Sequence, residues 1–294
     1  MTEFLTYIVP GIAQGFVYIV VGLGFVLLWK CSRIANLGIG ELVVLGAYMF
    51  YAFRVQLGLP ILVAFLGVIV FGVILGLVIG RFVMRPLIGQ GLMPVAFSTL
   101  AIASVLSGIM ILTWGAGVLK LPLIFPSGGI DIGSVAISNT HVAFLATGLA
   151  AFIVLTIYFK YFRFGLSMMA TADDQQLAQG TGIKVSNVVS VSLVLAIVLA
   201  TIGGILLTSI TGIHYSATGF GMIAVWVALV GGLESFGGLV VAGLLVGAFQ
   251  GVSAGYLDPL TGGGFSEIAA YVLMVIVLLI RPYGLFGWKK VERV

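Results

Sequence analysis

Between Glu3 and Lys30 the chain carries no charged side chain. The apolar run from Leu5 to Leu28 can cross the hydrocarbon core of a bilayer, which takes about 20 helical residues. It is also far longer than the roughly 7–15 apolar residues of a cleavable signal peptide, so it reads as a first span. Comparable runs follow at 36 to 53, 60 to 80, 94 to 114, 141 to 159, 187 to 211, 223 to 253 and 267 to 280. Only 7% of the 294 residues are charged, against roughly 25% in a soluble domain. A water-soluble globule is excluded. The expected fold is an all-α polytopic membrane protein with about eight hydrophobic segments, filling 1–294 as a single transmembrane domain.

That length leaves no room for a soluble catalytic or nucleotide-binding domain. No lysine follows a glycine, so the phosphate loop GxxxxGK[ST] is absent and any use of ATP needs a partner chain. The sole cysteine, Cys31, excludes an internal disulfide, and no His/Cys spacing suggests a metal. No cofactor is expected on this chain. The net charge of +4 points to orientation in a membrane rather than to nucleic acid.

The seventh segment differs from the rest. Gly231-Gly232-Leu233-Glu234-Ser235-Phe236-Gly237-Gly238 interrupts it and leaves two arms too short to cross, which predicts a re-entrant pair shielded by surrounding protein. With the N-terminus outside and this segment returning to its own side, Lys30, Arg33, Arg81, Arg85, Lys160, Arg163, Lys184, Arg281, Lys289, Lys290 and Arg293 all face the cytoplasm. Only Arg54 and Lys120 then lie outside, a strong positive-inside asymmetry. A full crossing by the seventh segment would move the basic tail outside and erase the asymmetry.

Two connections are longer than the others. The outer one, Gly115 to Thr140, reads as a small hairpin or short helix. The inner one, from Lys160 to Asn187, holds Gly165 to Gly180, which reads as one amphipathic helix lying at the membrane face and ended by Gly180 and Gly182.

Gly72, Gly76 and Gly80, Gly243, Gly247 and Gly251, and Gly11 with Gly15 form GxxxG stripes; close helix packing within the chain is the favoured reading. Glu41 and Glu234 are the informative carboxylates, because a charge at membrane depth costs roughly 2.5–3.5 kcal/mol. Each sits beside glycines at a helix break, with Asn36 next to the first. They line or gate a transport pathway, or they cap helix N–H groups near an interface. Ser104 and Ser107 in the fourth span, Gln14 in the first and Gln250 in the seventh can hydrogen-bond a cargo, or bond their own helices. His141 and His214 both fall outside and read as solvated interfacial residues.

The stretch Ala35 to Tyr48, Ala-Asn-Leu-Gly-Ile-Gly-Glu-Leu-Val-Val-Leu-Gly-Ala-Tyr, resembles the "N-x-A-H-G-E-x-x-x-x-G-A-Y" segment of the branched-chain amino-acid ABC permeases, the LivH-like subunits. Gly165, Ala170, Asp174, Ala178, Gly182 and Ile183 fit that family's cytoplasmic loop pattern, and Arg281-Pro282-Tyr283-Gly284-Leu285-Phe286-Gly287 resembles its closing "RPxGLFG". Met169 stands where the loop pattern has arginine, and Ile39-Gly40 where the first motif has His-Gly.

The resemblance implies half of an importer in a bacterial cytoplasmic membrane. A second, similar permease would complete the membrane-embedded pair. Two cytoplasmic ATPases would supply ATP and Mg chemistry, and an extracytoplasmic binding protein would deliver the cargo. That cargo would be branched-chain amino acids or related small hydrophobic or aromatic acids or amides. The loop at about 160–187 would couple to the ATPases, with apolar Met168, Met169 and Leu177 seated in a partner groove, and Asp173, Asp174 and Gln175 at its rim. Two rivals stand beside this: an ion-coupled secondary transporter or channel, and a membrane-embedded enzyme, which would need Glu234 deep in the membrane beside His214.

Overall fold

The computed structural model describes residues 2–87, 90–121, 124, 128–132 and 135–287. The uncharged first run is one continuous helix, α1 (Thr2–Ser32). It shares the centre of the bundle with α9 (Val185–Thr211); 83% of the apolar window of α1 and 72% of that of α9 are buried, against 22% for α3 (Ile61–Ile79) and its continuation to Leu87. The polarity pattern cannot separate these roles, because lipid and protein interior are equally apolar.

Among the described residues, six helices are long and apolar enough to span a bilayer: α1, α3 as extended to Leu87, α5 (Leu92–Trp114), α6 (Asn139–Tyr161), α9 and α11 (Phe236–Tyr256). Shorter ones complete the bundle. They are α2 (Ile39–Tyr51), α10 (Thr218–Gly231) and α13 (Phe265–Ile280). A short α4 (Arg85–Leu87) ends the third segment, and α12 (Asp258–Thr261) precedes α13. The long outer connection contains an antiparallel hairpin of β1 (Gly129–Ile132) and β2 (Val135–Ser138), with Gly129 opposite Ser138.

Both major glycine stripes pack within the chain. Gly11 and Gly15 of α1 meet Gly243, Gly247 and Gly251 of α11 so closely that a Cβ on Gly247 would stand 2.8 Å from the Gly15 Cα. Gly76 similarly admits α9, since a Cβ there would lie 2.7 Å from the Val194 Cα.

The seventh segment breaks where expected, but the expectation of two short arms needs correction. Only α10, at 14 residues, is short; α11 has 21 residues, about 31 Å at 1.5 Å per residue. Ser235 starts α11 by accepting a hydrogen bond at Oγ from Gly238 N (3.0 Å), and the helix continues through Gly237 and Gly238. The break itself lies beside the residues that follow α1 and α13. Glu234 pairs with Arg33, while Leu285 N and Phe286 N donate to the carbonyls of Val230 (2.8 Å) and Gly231 (3.2 Å), capping the end of α10. Gly232 has φ +97°, and a Cβ there would meet Gly287 N at 2.6 Å, so this turn requires glycine.

The inner connection is two helices, not one. Helix α7 (Arg163–Asp173) stops at Asp174, whose extended backbone (φ −152°, ψ 113°) begins α8 (Gln175–Gly180). Asp174 Oδ1 accepts from Gln176 N (2.8 Å) and Leu177 N (3.0 Å). An aspartate in mid-pattern captured the orphan N–H groups of a new helix, and Gly182, at φ +87°, turns the chain after α8.

Candidate functional site: a two-helix platform and a broken helix start

Most of the cations grouped by the charge count meet at one end of the bundle. Arg85 Nη2 donates to Asn187 Oδ1 (3.2 Å), beside Lys184. Cys31, following Lys30, donates its thiol to the Met168 carbonyl (3.7 Å), which ties the end of α1 to α7, where Arg163 begins the helix. Arg33 reaches Glu234, and Arg281 leads into the segment that caps α10. We call this the basic end. Lys289, Lys290 and Arg293 lie outside the described residues.

Helices α7 and α8 form a platform on that end. Met168 is 0% exposed, packed with Leu27, Cys31 and Val188. The expectation that it seats in a partner's groove is therefore corrected: it fastens the platform to its own bundle. Ala178 is likewise buried. Gly165 permits the tight α6–α7 corner, where a Cβ would lie 2.9 Å from the Phe159 Cα. Ala170, Asp173, Asp174 and Leu177 remain exposed, and Met169 is half-buried. The platform thus presents a small mixed face of apolar and acidic side chains on a rigid base.

The pathway candidates are scattered. After α1 the chain is non-helical through residues 33–36 and turns at 37–38 before α2 begins. Asn36 Oδ1 accepts from Gly38 N (3.2 Å) and Thr99 Oγ1 accepts from Leu37 N (3.2 Å), so α5 holds this unwound link. Asn36 therefore shapes the backbone. Glu41, in the first turn of α2, is half-buried and, among the described residues, makes no hydrogen bond or ion pair. The capping alternative therefore fails for Glu41: the start of α2 has no side-chain cap hydrogen bond, and Asn36 and Thr99 bond N–H groups of the link before it. Ser104 is exposed and bonds its own helix through the Leu100 carbonyl (3.0 Å), whereas Ser107 is buried.

Gln14 and Gln250 do converge. They line a cavity of about 330 Å³ among α1, α6, α9, α10, α11 and α13 at the end opposite the basic one, together with Tyr7, His141 and Glu267. Gln14 Nε2 donates to the Tyr18 hydroxyl (2.8 Å) and Gln250 Nε2 to the Ser266 carbonyl (3.3 Å). Nearby, Asp258 accepts from Ser266 N (2.8 Å) and Oγ (2.7 Å), bonds that hold its carboxyl below the usual value. His141, which reads from the sequence as a solvated interfacial residue, is half-buried in the wall of this cavity, and Glu267 carries no mark in the sequence. His214 and Glu234 stand beyond opposite ends of the 14-residue α10, about 21 Å of helix apart, so they cannot act as an acid–base pair.

A bundle with six described helices long and apolar enough to span a bilayer, and with a two-helix platform packed on one end, defines a polytopic membrane protein. The chain belongs to the family described as branched-chain amino acid transport system / permease component, whose model matches residues 7–281. It is 27% identical to the high-affinity branched-chain amino acid transport system permease protein LivH of Salmonella typhimurium, over 99% of this chain and 98% of that protein. The corresponding protein BraD of Pseudomonas aeruginosa is 25% identical over 99% of this chain and 98% of its own. A probable LivH of Methanocaldococcus jannaschii is 26% identical over 94% and 90%. The fold is shared with a chain of the solved structure titled PsaBC from Streptococcus pneumoniae in complex with Fab, with a TM-score of 0.51 and 18% identity, covering 96% of this chain and 94% of that one.

Proposed function

We propose that this chain is the transmembrane permease subunit of an ATP-driven importer for branched-chain amino acids or closely related small hydrophobic or aromatic acids or amides. The cargo class follows the relatives' names, and the matches to them run through nearly the whole chain. The basic end faces the cytoplasm. There, α7 and α8 receive a separate ATPase, which carries ATP and Mg. A second permease subunit completes the pathway, a second ATPase serves it, and an extracytoplasmic binding protein delivers cargo at the opposite end.

The observation that carries this reading is the platform: buried Met168 welds it to the centre of the bundle, while Ala170, Asp173, Asp174 and Leu177 stay exposed on its outer face. A push on α7 reaches α1 and α9 through Met168, Leu27 and Val188 without passing through a flexible tether. Closure of the ATPases then tilts the two central helices and changes which side the pathway opens toward. Ala170→Glu puts a bulky charge on the exposed face and away from the buried one. The variant complex should fold, hydrolyse ATP and fail to import labelled leucine. Normal uptake by Ala170→Glu would mean that the platform does not couple.

A further inference from the structure

A second opening, apolar in its lining, lies apart from the pathway candidates. A groove of about 480 Å³ lies at the basic end between α1, α6, α7 and the start of α11. Leu155, Phe159, Leu166, Met169 and Phe236 are among its walls, and Lys160 and Thr156 supply its only polar side chains. From Lys160 it extends along α6 to Phe152, about 12 Å into the span at 1.5 Å per residue. A soluble partner cannot follow the groove to that depth. An acyl chain can.

Its mouth is cationic. Phe159 and Phe236 stack with ring centres 5.5 Å apart, Lys30 Nζ stands 5.4 Å from the centre of the Phe236 ring, and Lys160 lies on the rim. Glu234, close by in sequence, is engaged by Arg33 in the single ion pair among the described residues. Among the described residues, Lys30 and Lys160 therefore have no acidic partner within ion-pair distance, and they lie in the last turns of α1 and α6. A basic pair at the end of an apolar slot between spanning helices matches a phosphate headgroup joined to a hydrocarbon tail.

We propose that this groove binds an anionic phospholipid, with an acyl chain along Phe152 to Phe159 and the phosphate between Lys30 and Lys160. Because Leu166 and Met169 of α7 form one wall, the bound lipid props the platform against the bundle. The site depends on the chain lying in a membrane, not on what docks at α7 or what cargo passes.

The test counts lipid retained by the purified transporter complex, using native mass spectrometry after exposure to phosphatidylglycerol or phosphatidylcholine. Phosphatidylglycerol should be retained in preference, and Lys30→Gln and Lys160→Gln should each weaken that retention about fivefold. Lysine-to-arginine variants should keep it. Lys120→Gln, near the opposite end, should change nothing. Thr156→Trp should block the slot with both lysines intact, which covers the case in which the glutamine variants fail to fold. Equal retention of the two lipids, as for a face covered by ordinary bilayer or by a second permease, would overturn the proposal, as would unchanged retention in Thr156→Trp.

Discussion

Glu41 and Glu234 look alike in the sequence, each an acid beside glycines at a break in an apolar run. Folding gives them different surroundings. Glu234 meets Arg33 at the basic end, where the two side chains are 28% and 48% exposed. Water screens such a pair, so its worth lies between about 0 and 1 kcal/mol. Glu41 is half-buried and, among the described residues, makes no hydrogen bond or ion pair, so neutralising its charge breaks no polar contact. Glu41→Gln should leave the thermal stability of the complex within about 0.5 kcal/mol of wild type, as for other substitutions that break no buried network. If Glu41 serves the pathway, the same variant should slow uptake. Measured together in proteoliposomes, unfolding and transport separate the two roles. Unchanged uptake removes Glu41 from the pathway, and a large loss of stability means that it holds α2 in place.

Helices differ in how much of their structure local sequence carries. The α1–α11 seam was legible, because glycines four apart mark one face and admit a second backbone whatever the partner. Gly247→Val should therefore be severe, costing about 1–3 kcal/mol or more through forced separation of the two helices, whereas Gly108→Ala in α5 has nothing within 4 Å of the new Cβ. Alanine also favours a helix over glycine, by up to about 1 kcal/mol. Thermal unfolding in detergent should thus show Gly247→Val well below wild type and Gly108→Ala level with it or above. Equal effects would mean that the α1–α11 seam is not the tight contact described. The split between α7 and α8 was less legible. It rests on Asp174 choosing a capping geometry over helix continuation, and both options fit an aspartate in a polar-faced helix. The length of α11 was hidden for a related reason: Gly237 and Gly238 read as breakers, yet the close approach of Gly231 and the cap from Ser235 keep them helical.

Across the whole molecule, legibility ends where residues distant in sequence meet. Gln14 and Gln250 could be picked out singly as polar groups in apolar helices, but their shared cavity with His141 and Glu267 depends on six helices arriving together. Met168 fits an amphipathic pattern equally well facing a partner or facing its own bundle, and only the meeting with Leu27 and Val188 decides which. The grouping of cations at one end is different, because charge asymmetry between loops alternates with each crossing and so survives errors in individual boundaries. Its cytoplasmic assignment can be tested with little background, since Cys31 is buried. Leu177, 71% exposed on the platform, and Val118, 63% exposed near the opposite end, offer well-placed cysteine positions. In intact cells a membrane-impermeant maleimide should label Val118→Cys and spare Leu177→Cys. Inside-out vesicles should reverse the pattern, with Leu177→Cys labelled fully only after the ATPases are stripped away. Labelling of Leu177→Cys in intact cells would put the platform on the outer surface and end the proposal that a cytoplasmic motor drives it. Labelling in inside-out vesicles that is indifferent to the ATPases would keep the orientation and remove the docking surface.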